Sequence, residues 1–417
     1  MPPSVIGAQM QSTVPNRVMI YSHDTYGLGH LRRNLALAEA LVRANPAMRI
    51  VIVSGSRIAA SFEVPRGIDV VQLPPVIKTG PGQYESFGLA ISLSLIKRAR
   101  AAIIKDVITR FDPEVFYVDH SPLGMSNELV SVLDFLVSSR AEIRRVIGLR
   151  DIIDSPESVS RSWAADGTLD AIGRFYHQAY VFGEEHLFDF GSAYAIPSNV
   201  ELRYLSYLGK PEFIAAGQRR TEEFSNFRSY GGHFLITGGG GGDAREVCEL
   251  GIRVARIVGV ETVVVTGPLM DFQTLCDMRE LAKGAANIKI IEFSSNFEDL
   301  VANARVAMAM AGYNTTVELA AARVPALYLP RTYPRQEQAI RAEIFARLGF
   351  GRMLDPSAAA TPGSIASLVR AYWDNPLLAP EVALNMSAIP RFASQIAKPE
   401  PTKRDFKEVV ETMDAVH

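Results

Sequence analysis

His30 closes the loop Tyr26-Gly27-Leu28-Gly29-His30, which follows the apolar run RVMIYS at Arg17–Ser22 and leads into a helical pattern. An imidazole at a helix N-terminus is kept neutral by the positive end of the helix dipole, which suits a general base. A histidine there can equally cap or pack. Asp119 ends the run VFYVD and offers a carboxylate that orients His30 and stabilises its imidazolium, or that acts as base itself. Gly27 and Gly29 shape the turn, and Arg32 and Arg33 stand ready to pair with an acceptor phosphate or carboxylate. The loop is not a dinucleotide fingerprint, because Arg32 occupies the place of the third glycine.

Three further loops carry candidate chemistry. Five glycines, Gly238 to Gly242, separate the strand-like HFLIT from a helical segment, and Gly239, Gly240 and Gly241 expose N–H groups to an anion or substrate. No Lys-Ser/Thr follows, so this is not a P-loop. The segment Ala311-Gly312-Tyr313-Asn314-Thr315-Thr316-Val317-Glu318 admits two readings. Thr315 and Glu318 have the spacing of a capping box. Alternatively, Gly312, Asn314, Thr315 and Thr316 surround a phosphate while Glu318 accepts from a diol. The fourth loop, Pro330 to Gln338, places Glu337 and Gln338, with Arg341 beyond, where they fix sugar hydroxyls or simply start a solvated helix. Asp-x-Asp, His-x-x-x-His and paired-cysteine patterns are missing, so no metal site or cofactor is expected. A Gly-x-Ser-x-Gly elbow is missing too.

Positioning such loops takes strands that end at them. Short apolar runs at Arg17–Ser22, Ile50–Ser54, Asp69–Gln72, Val115–Asp119, Val146–Leu149 and Ala179–Phe182 alternate with helical patterns such as Arg32–Arg43. A second series starts at His233 and continues through Thr262–Thr266, Ile288–Glu292, Val306–Met310 and Ala326–Leu329. Continuous apolar strands between helices predict doubly wound α/β domains with parallel sheets, whose crevices lie at the strands' C-terminal ends. The expected layout is an N-terminal Rossmann-like acceptor domain over 17–205, a linker over 206–230, and a C-terminal Rossmann-like donor domain over 231–375. A tail over 376–417 holds helices near Pro380–Met386 and Asp405–Met413.

The chain has 417 residues, enough for two or three domains. Its net charge of -2 gives no broad basic field, so no nucleic-acid partner is expected. Two cysteines make no disulfide framework, which fits a cytoplasmic protein. The polar first sixteen residues do not read as a signal peptide, and no apolar run reaches the length of a membrane span. Leu89–Phe111 reads as an amphipathic helix packed on a sheet; its Lys97, Arg98, Arg100 and Lys105 alternatively lean on anionic lipid at the inner face of a membrane.

Together, GLGH at 27–30, GGGGGDA at 238–244, and AGYNTTVELAAARVPALYLP at 311–330 followed by EQAIRA at 337–342 resemble the GT-B glycosyltransferases. The closest branch is glycosyltransferase family 28, which includes the lipid-linked N-acetylglucosaminyltransferase of peptidoglycan synthesis. The resemblance implies two Rossmann-like domains facing across a cleft, with a C-terminal helix crossing back to the first. It implies a nucleotide diphosphate sugar donor, UDP-sugar favoured, and a glycan or lipid-linked acceptor. It assigns Glu318 to the donor ribose, Thr315 and Thr316 to the diphosphate, Phe293 to the base, Gln338 to the sugar and His30 to the reacting centre. Three positions depart from the family: Arg33 replaces a proline, Glu337 one of two paired glutamines, and Arg341 an asparagine. The resulting expectation is a metal-independent, inverting transferase. A nucleotide-sugar 2-epimerase of the same fold and a non-catalytic nucleotide-sugar-binding protein are the alternatives.

Overall fold

The computed structural model describes residues 16–23, 29–57, 59, 64–80, 83–88, 91–223, 232–294, 296–354, 361–375 and 384–398. In chain order the elements open with β1 (Arg17–Ser22), α1 (Gly29–Ala44), β2 (Arg49–Ser54), β3 (Ile68–Gln72) and a hairpin of β4 (Val76–Gly80) and β5 (Gln83–Ser86). Next come α2 (Leu93–Phe111), β6 (Val115–Asp119), α3 (Val130–Ser139), β7 (Arg144–Arg150), α4 (Pro156–Asp166), α5 (Thr168–Phe175), β8 (Gln178–Phe182), α6 (Phe190–Ala193), β9 (Glu201–Tyr204) and α7 (Pro211–Glu223). The second series runs β10 (His233–Thr237), α8 (Arg245–Val258), β11 (Thr262–Val265), α9 (Phe272–Ala282), β12 (Ile288–Ile291), α10 (Phe297–Ala302) and β13 (Ala304–Ala309). It ends with α11 (Tyr313–Ala321), β14 (Ala326–Tyr328), α12 (Glu337–Arg347), β15 (Gly351–Met353), α13 (Pro362–Asp374) and α14 (Ala388–Ile396).

Two sheets result, of order β3-β2-β1-β6-β7-β8-β9 and β12-β11-β10-β13-β14-β15. Each is doubly wound: the chain works outward from its first strand in one direction, then returns to that strand and works outward in the other. The strand order therefore reverses between β1 and β6 and again between β10 and β13, the places where α/β sheets open a ligand crevice. Strand β1 pairs in parallel with β2 and β6, with Tyr21 opposite Val53 and Val118. In the other sheet β10 pairs in parallel with β11 and β13, with Thr237 opposite Val265 and Ala309. Strands buried on both faces explain the unbroken apolar runs: Val18 to Tyr21 and Phe234 to Ile236 are all 0% exposed.

The chain divides into two compact units. One takes Met1–Ile147, Arg174–Gln178 and Pro390–His417; the other takes Gly148–Gly173 and Ala179–Ile389. In the first unit, Ile96, Ala101, Ile104 and Ile108 form the buried side of α2. Arg100 lies on that side as well, contrary to its expected place among lipid-facing cations. Its Nε and Nη2 donate to Glu128 at 2.5 and 2.8 Å, and Tyr21 Oη donates to the same carboxylate at 2.6 Å. A buried carboxylate with these donors explains why an arginine occupies the apolar face.

The tail also differs from expectation. Of the helix placed at Pro380–Met386, residues up to 383 lie outside the described residues, and 384–387 are not helical. The observed helix is α14, over Ala388–Ile396. Within the first unit the end of α14 is held by Arg144, whose guanidinium donates to the carbonyls of Ile396 and Lys398, and Phe392 packs edge-on against Tyr117 at 5.1 Å. The helix expected near Asp405–Met413 lies outside the described residues. No helix among the described residues is long and apolar enough to cross a membrane.

Candidate active site

In the first unit, β1 and β6 end side by side at Ser22 and Asp119, and α1 begins at Gly29, three residues before the expected Arg32. The earlier start puts His30 in the first turn of α1. His30 Nδ1 lies 2.7 Å from Asp119 Oδ2. Arg33, one turn on, binds Asp119 Oδ1 through Nη2, which also stands 3.2 Å from His30 Nδ1. Asn34 Nδ2 donates to Ser22 Oγ at 2.8 Å and to Asp119 Oδ2 at 3.2 Å.

Asp119 is fully buried. Burial alone would raise its carboxyl, but the charges of Arg33 and His30 and the hydrogen bond from His30 outweigh it and hold the group well below the usual carboxylate range. An ionised carboxylate accepts only, so His30 Nδ1 carries a proton, and in the neutral form of the ring Nε2 holds the lone pair. Being enclosed and triply bonded, Asp119 cannot itself meet an acceptor; its geometry is that of an orienting group. Arg33, expected on the acceptor side, is turned inward, with its side chain 5% exposed. Arg32 is partly buried, and Gly27 lies outside the described residues.

Two residues that sequence reasoning missed complete this cluster. His23 follows β1 and His120 follows β6, and their rings lie 5.8 and 5.3 Å from that of His30. The available signal was their position, each one residue beyond an apolar strand. Which strands are neighbours, however, is a property of the sheet order.

In the second unit the glycine loop leaves β10 and lies against the turn after β11. A Cβ on Gly241 would stand 2.5 Å from the Thr266 carbonyl oxygen, and one on Gly267 would stand 2.5 Å from the backbone of Gly240. Both residues have positive φ, so close backbone approach and backbone conformation together require glycine. Gly239 and Gly240 face outward, and Gly239 lies next to Thr315, whose Oγ1 would be 3.8 Å from an added Cβ. The second and third loops are thereby brought together.

The capping-box reading of the third loop does not hold. Helix α11 begins at Tyr313, its N-cap is Gly312, and no side chain caps it. Thr315 is therefore already inside the helix, and Glu318 pairs instead with Lys210 at 3.8 Å. The first N–H groups of α11 lack partners within the helix, which leaves a positive N-terminus beside the glycine loop. The Thr316 hydroxyl is fully buried and has no hydrogen-bond partner among the described residues. Lys210 also reaches Glu298 at 3.5 Å, a role that the linker reading of its segment did not suggest.

The fourth loop is organised by Arg331, another residue without an expected role. Its guanidinium bridges Asp243 of the glycine loop at 2.5 Å and Glu337 at 2.6 Å, and its N–H donates to Gln338 Oε1 at 3.0 Å. Glu337 and Gln338 thus stand together at the start of α12. Arg341, expected to face a sugar, is instead 1% exposed and paired through Nε and Nη2 with Asp151 at 2.9 and 2.7 Å. Its Nη1 donates to the carbonyl of Ala311 at 3.0 Å and so fixes the approach to α11. Phe293, just beyond β12, is 50% exposed. Among the described residues, no group of three or more His, Cys, Asp and Glu side chains is placed to hold a metal ion.

Comparison with known proteins bears on the fold. Residues 235–396 match the glycosyltransferase family 28 C-terminal domain, a span that opens in β10 and closes with α14. Among solved structures, MurG of Acinetobacter baumannii is similar at a TM-score of 0.55 and 14% identity, covering 96% of this chain and 100% of that one. A UDP-glucosyltransferase from Polygonum tinctorium is similar at 0.60 and 15%, covering 94% and 100%. The UDP-GlcNAc 2-epimerase from Neisseria meningitidis, bound to UDP-GlcNAc, is similar at 0.58 and 13%, covering 91% and 98%. No curated protein sequence matches the chain. The fold is GT-B, and the C-terminal domain is of the glycosyltransferase family 28 type. The chain is accordingly a glycosyltransferase of the nucleotide-sugar class.

Proposed function

We propose that this enzyme moves a sugar from a nucleotide diphosphate sugar, with UDP-sugar favoured, to the hydroxyl of a glycan or lipid-linked acceptor, with inversion and without a metal ion. The observation that carries the reading is the bond from His30 to the buried, ionised Asp119, which leaves Nε2 as the base. His30 Nε2 takes the acceptor proton as the acceptor oxygen bonds to the anomeric carbon and the bond to the diphosphate breaks. The first N–H groups of α11, the outward glycines Gly239 and Gly240, and the hydroxyls of Thr315 and Thr316 receive the leaving diphosphate, the work a cation performs elsewhere. Glu318 accepts from the ribose diol, Phe293 stacks on the base, and Gln338 with Glu337 reads the sugar. Asn314 and Gly312 border the same N-terminus. Gly29 and Arg32 lie on the acceptor side.

Incubation with a panel of nucleotide sugars, with and without an acceptor lipid extract, tests this reading. Nucleotide release that depends on acceptor is the expected result. Interconversion of the sugar without acceptor would indicate epimerisation instead, and binding without turnover a non-catalytic protein.

Peripheral contact with an anionic membrane is the second part of the reading. Ile91 and Leu95 are exposed at the start of α2, followed by the partly exposed Lys97 and the exposed Arg98. With Arg100 enclosed, these residues and Lys105 carry the surface. The combination of apolar and basic side chains fits a bilayer interface. Binding to phosphatidylserine vesicles at low salt is expected, and Lys97→Glu with Arg98→Glu should weaken it. Equal binding by the doubly substituted protein would remove the membrane from the proposal.

A further inference from the structure

We propose that Arg33 sets the basicity of His30, as a positioning residue that shares Asp119 with it. The inference rests on the reading of His30 as the acceptor base.

Besides the Asn34 amide, one carboxylate serves two ionisable nitrogen groups here. Asp119 gives Oδ2 to His30 at 2.7 Å and Oδ1 to Arg33. Left alone with His30, a buried carboxylate would favour the imidazolium and raise the pKa of the ring. Arg33 is charged at every working pH, and its Nη2 stands 3.2 Å from His30 Nδ1. It neutralises the carboxylate and repels a second positive charge on the ring. From the end of β1 comes His23, from the end of β6 Asp119 and His120, and from α1 Arg33 and the partly buried Arg32. Ser22 and Asn34, which complete the polar contacts, carry no charge. The N-terminus of α1 acts in the same direction as Arg33. His30 is thus oriented by Asp119 while Arg33 opposes a second positive charge beside it.

The sign of the effect follows directly. Removing the positive charge at position 33 leaves Asp119 without its second cationic partner and raises the pKa of His30, so the acidic limb of a base-catalysed rate moves to higher pH. A shift of about one pH unit or more is expected for a charge at this distance.

The test is an NMR titration of the histidine ring Cε1–H resonances in the full chain, with His30 assigned through His30→Gln. Arg33→Met and Arg33→Gln should both raise the midpoint by about one unit, and Arg33→Lys, which keeps the charge, should stay within about half a unit of the parent. The glutamine variant keeps a hydrogen bond to Asp119, so the comparison survives if the methionine variant does not fold. An unchanged or lowered midpoint in the folded neutral variants would overturn the proposal. An equal rise in the lysine variant would do so as well, because the effect would then come from packing. Titration needs no substrate, so its outcome is separable from that of the transfer reading. Where transfer is measured, kcat/KM should follow the same displacement with the donor KM unchanged.

Discussion

His30→Ala is expected to lower turnover by about 10²-fold or more while donor affinity stays within a factor of about two. The ring of His30 is held by Asp119 and is partly exposed, its side chain being 14% exposed, while Asp119 is enclosed. Its loss removes the proton acceptor without touching the glycine loop, α11 or α12, which hold the donor in the proposed mechanism. Single-turnover kinetics combined with calorimetric binding of the donor separates the two effects. Asp119→Asn should act in the same direction, because an amide no longer selects the tautomer that leaves Nε2 unprotonated. Intact turnover in His30→Ala would remove the residue from the chemistry.

The second large effect is on stability. Arg341→Met should cost about 3–5 kcal/mol, because Asp151 would be left as a buried carboxylate without its bidentate partner. Methionine keeps much of the volume, so the loss reports the pair and not a cavity. At roughly 2–4 °C per kcal/mol, a midpoint lowered by about 6–20 °C is expected in a thermal scan. Introducing Asp151→Leu into the same chain should restore part of it, since removing both charges removes the unpaired group. A melting point within about a degree of the parent for Arg341→Met would show that the pair contributes little. The carbonyl of Ala311 also loses its donor in this variant, so weaker donor binding should accompany the lower stability.

How much of this was legible in the chain depends on whether a feature is local. Strands buried on both faces write themselves as uninterrupted apolar runs, so β1, β6 and β10 were read to the residue, and the loops at their ends followed. The pairing of His30 with Asp119 was also accessible, because both residues end recognisable elements. Features that depend on where a side chain turns were not. Arg33 and Arg341 were read as ligand contacts because charged groups beside a crevice usually face it. Both face inward to carboxylates supplied by distant segments, Asp119 and Asp151. Thr315 and Glu318 have capping-box spacing, yet the N-cap is Gly312, three residues before Thr315, and spacing cannot fix a boundary that finely. Arg331, which ties Asp243 to Glu337 across a long stretch of chain, left no local signature.

The glycines of the proposed donor loops differ in what they leave open to redesign. Gly241 and Gly267 are locked against backbone, so a library that varies them would mostly sample broken loops. Gly312 is different: an added Cβ would meet nothing within 4 Å, and its φ of -62° and ψ of 144° suit any residue. A helix N-cap with that geometry would ordinarily gain from serine, threonine or aspartate. Gly240 is nearly as open, with Leu269 at 3.6 Å as its nearest neighbour. These two positions offer an engineer side-chain variation at the mouth of the proposed donor site without disturbing the scaffold beneath it.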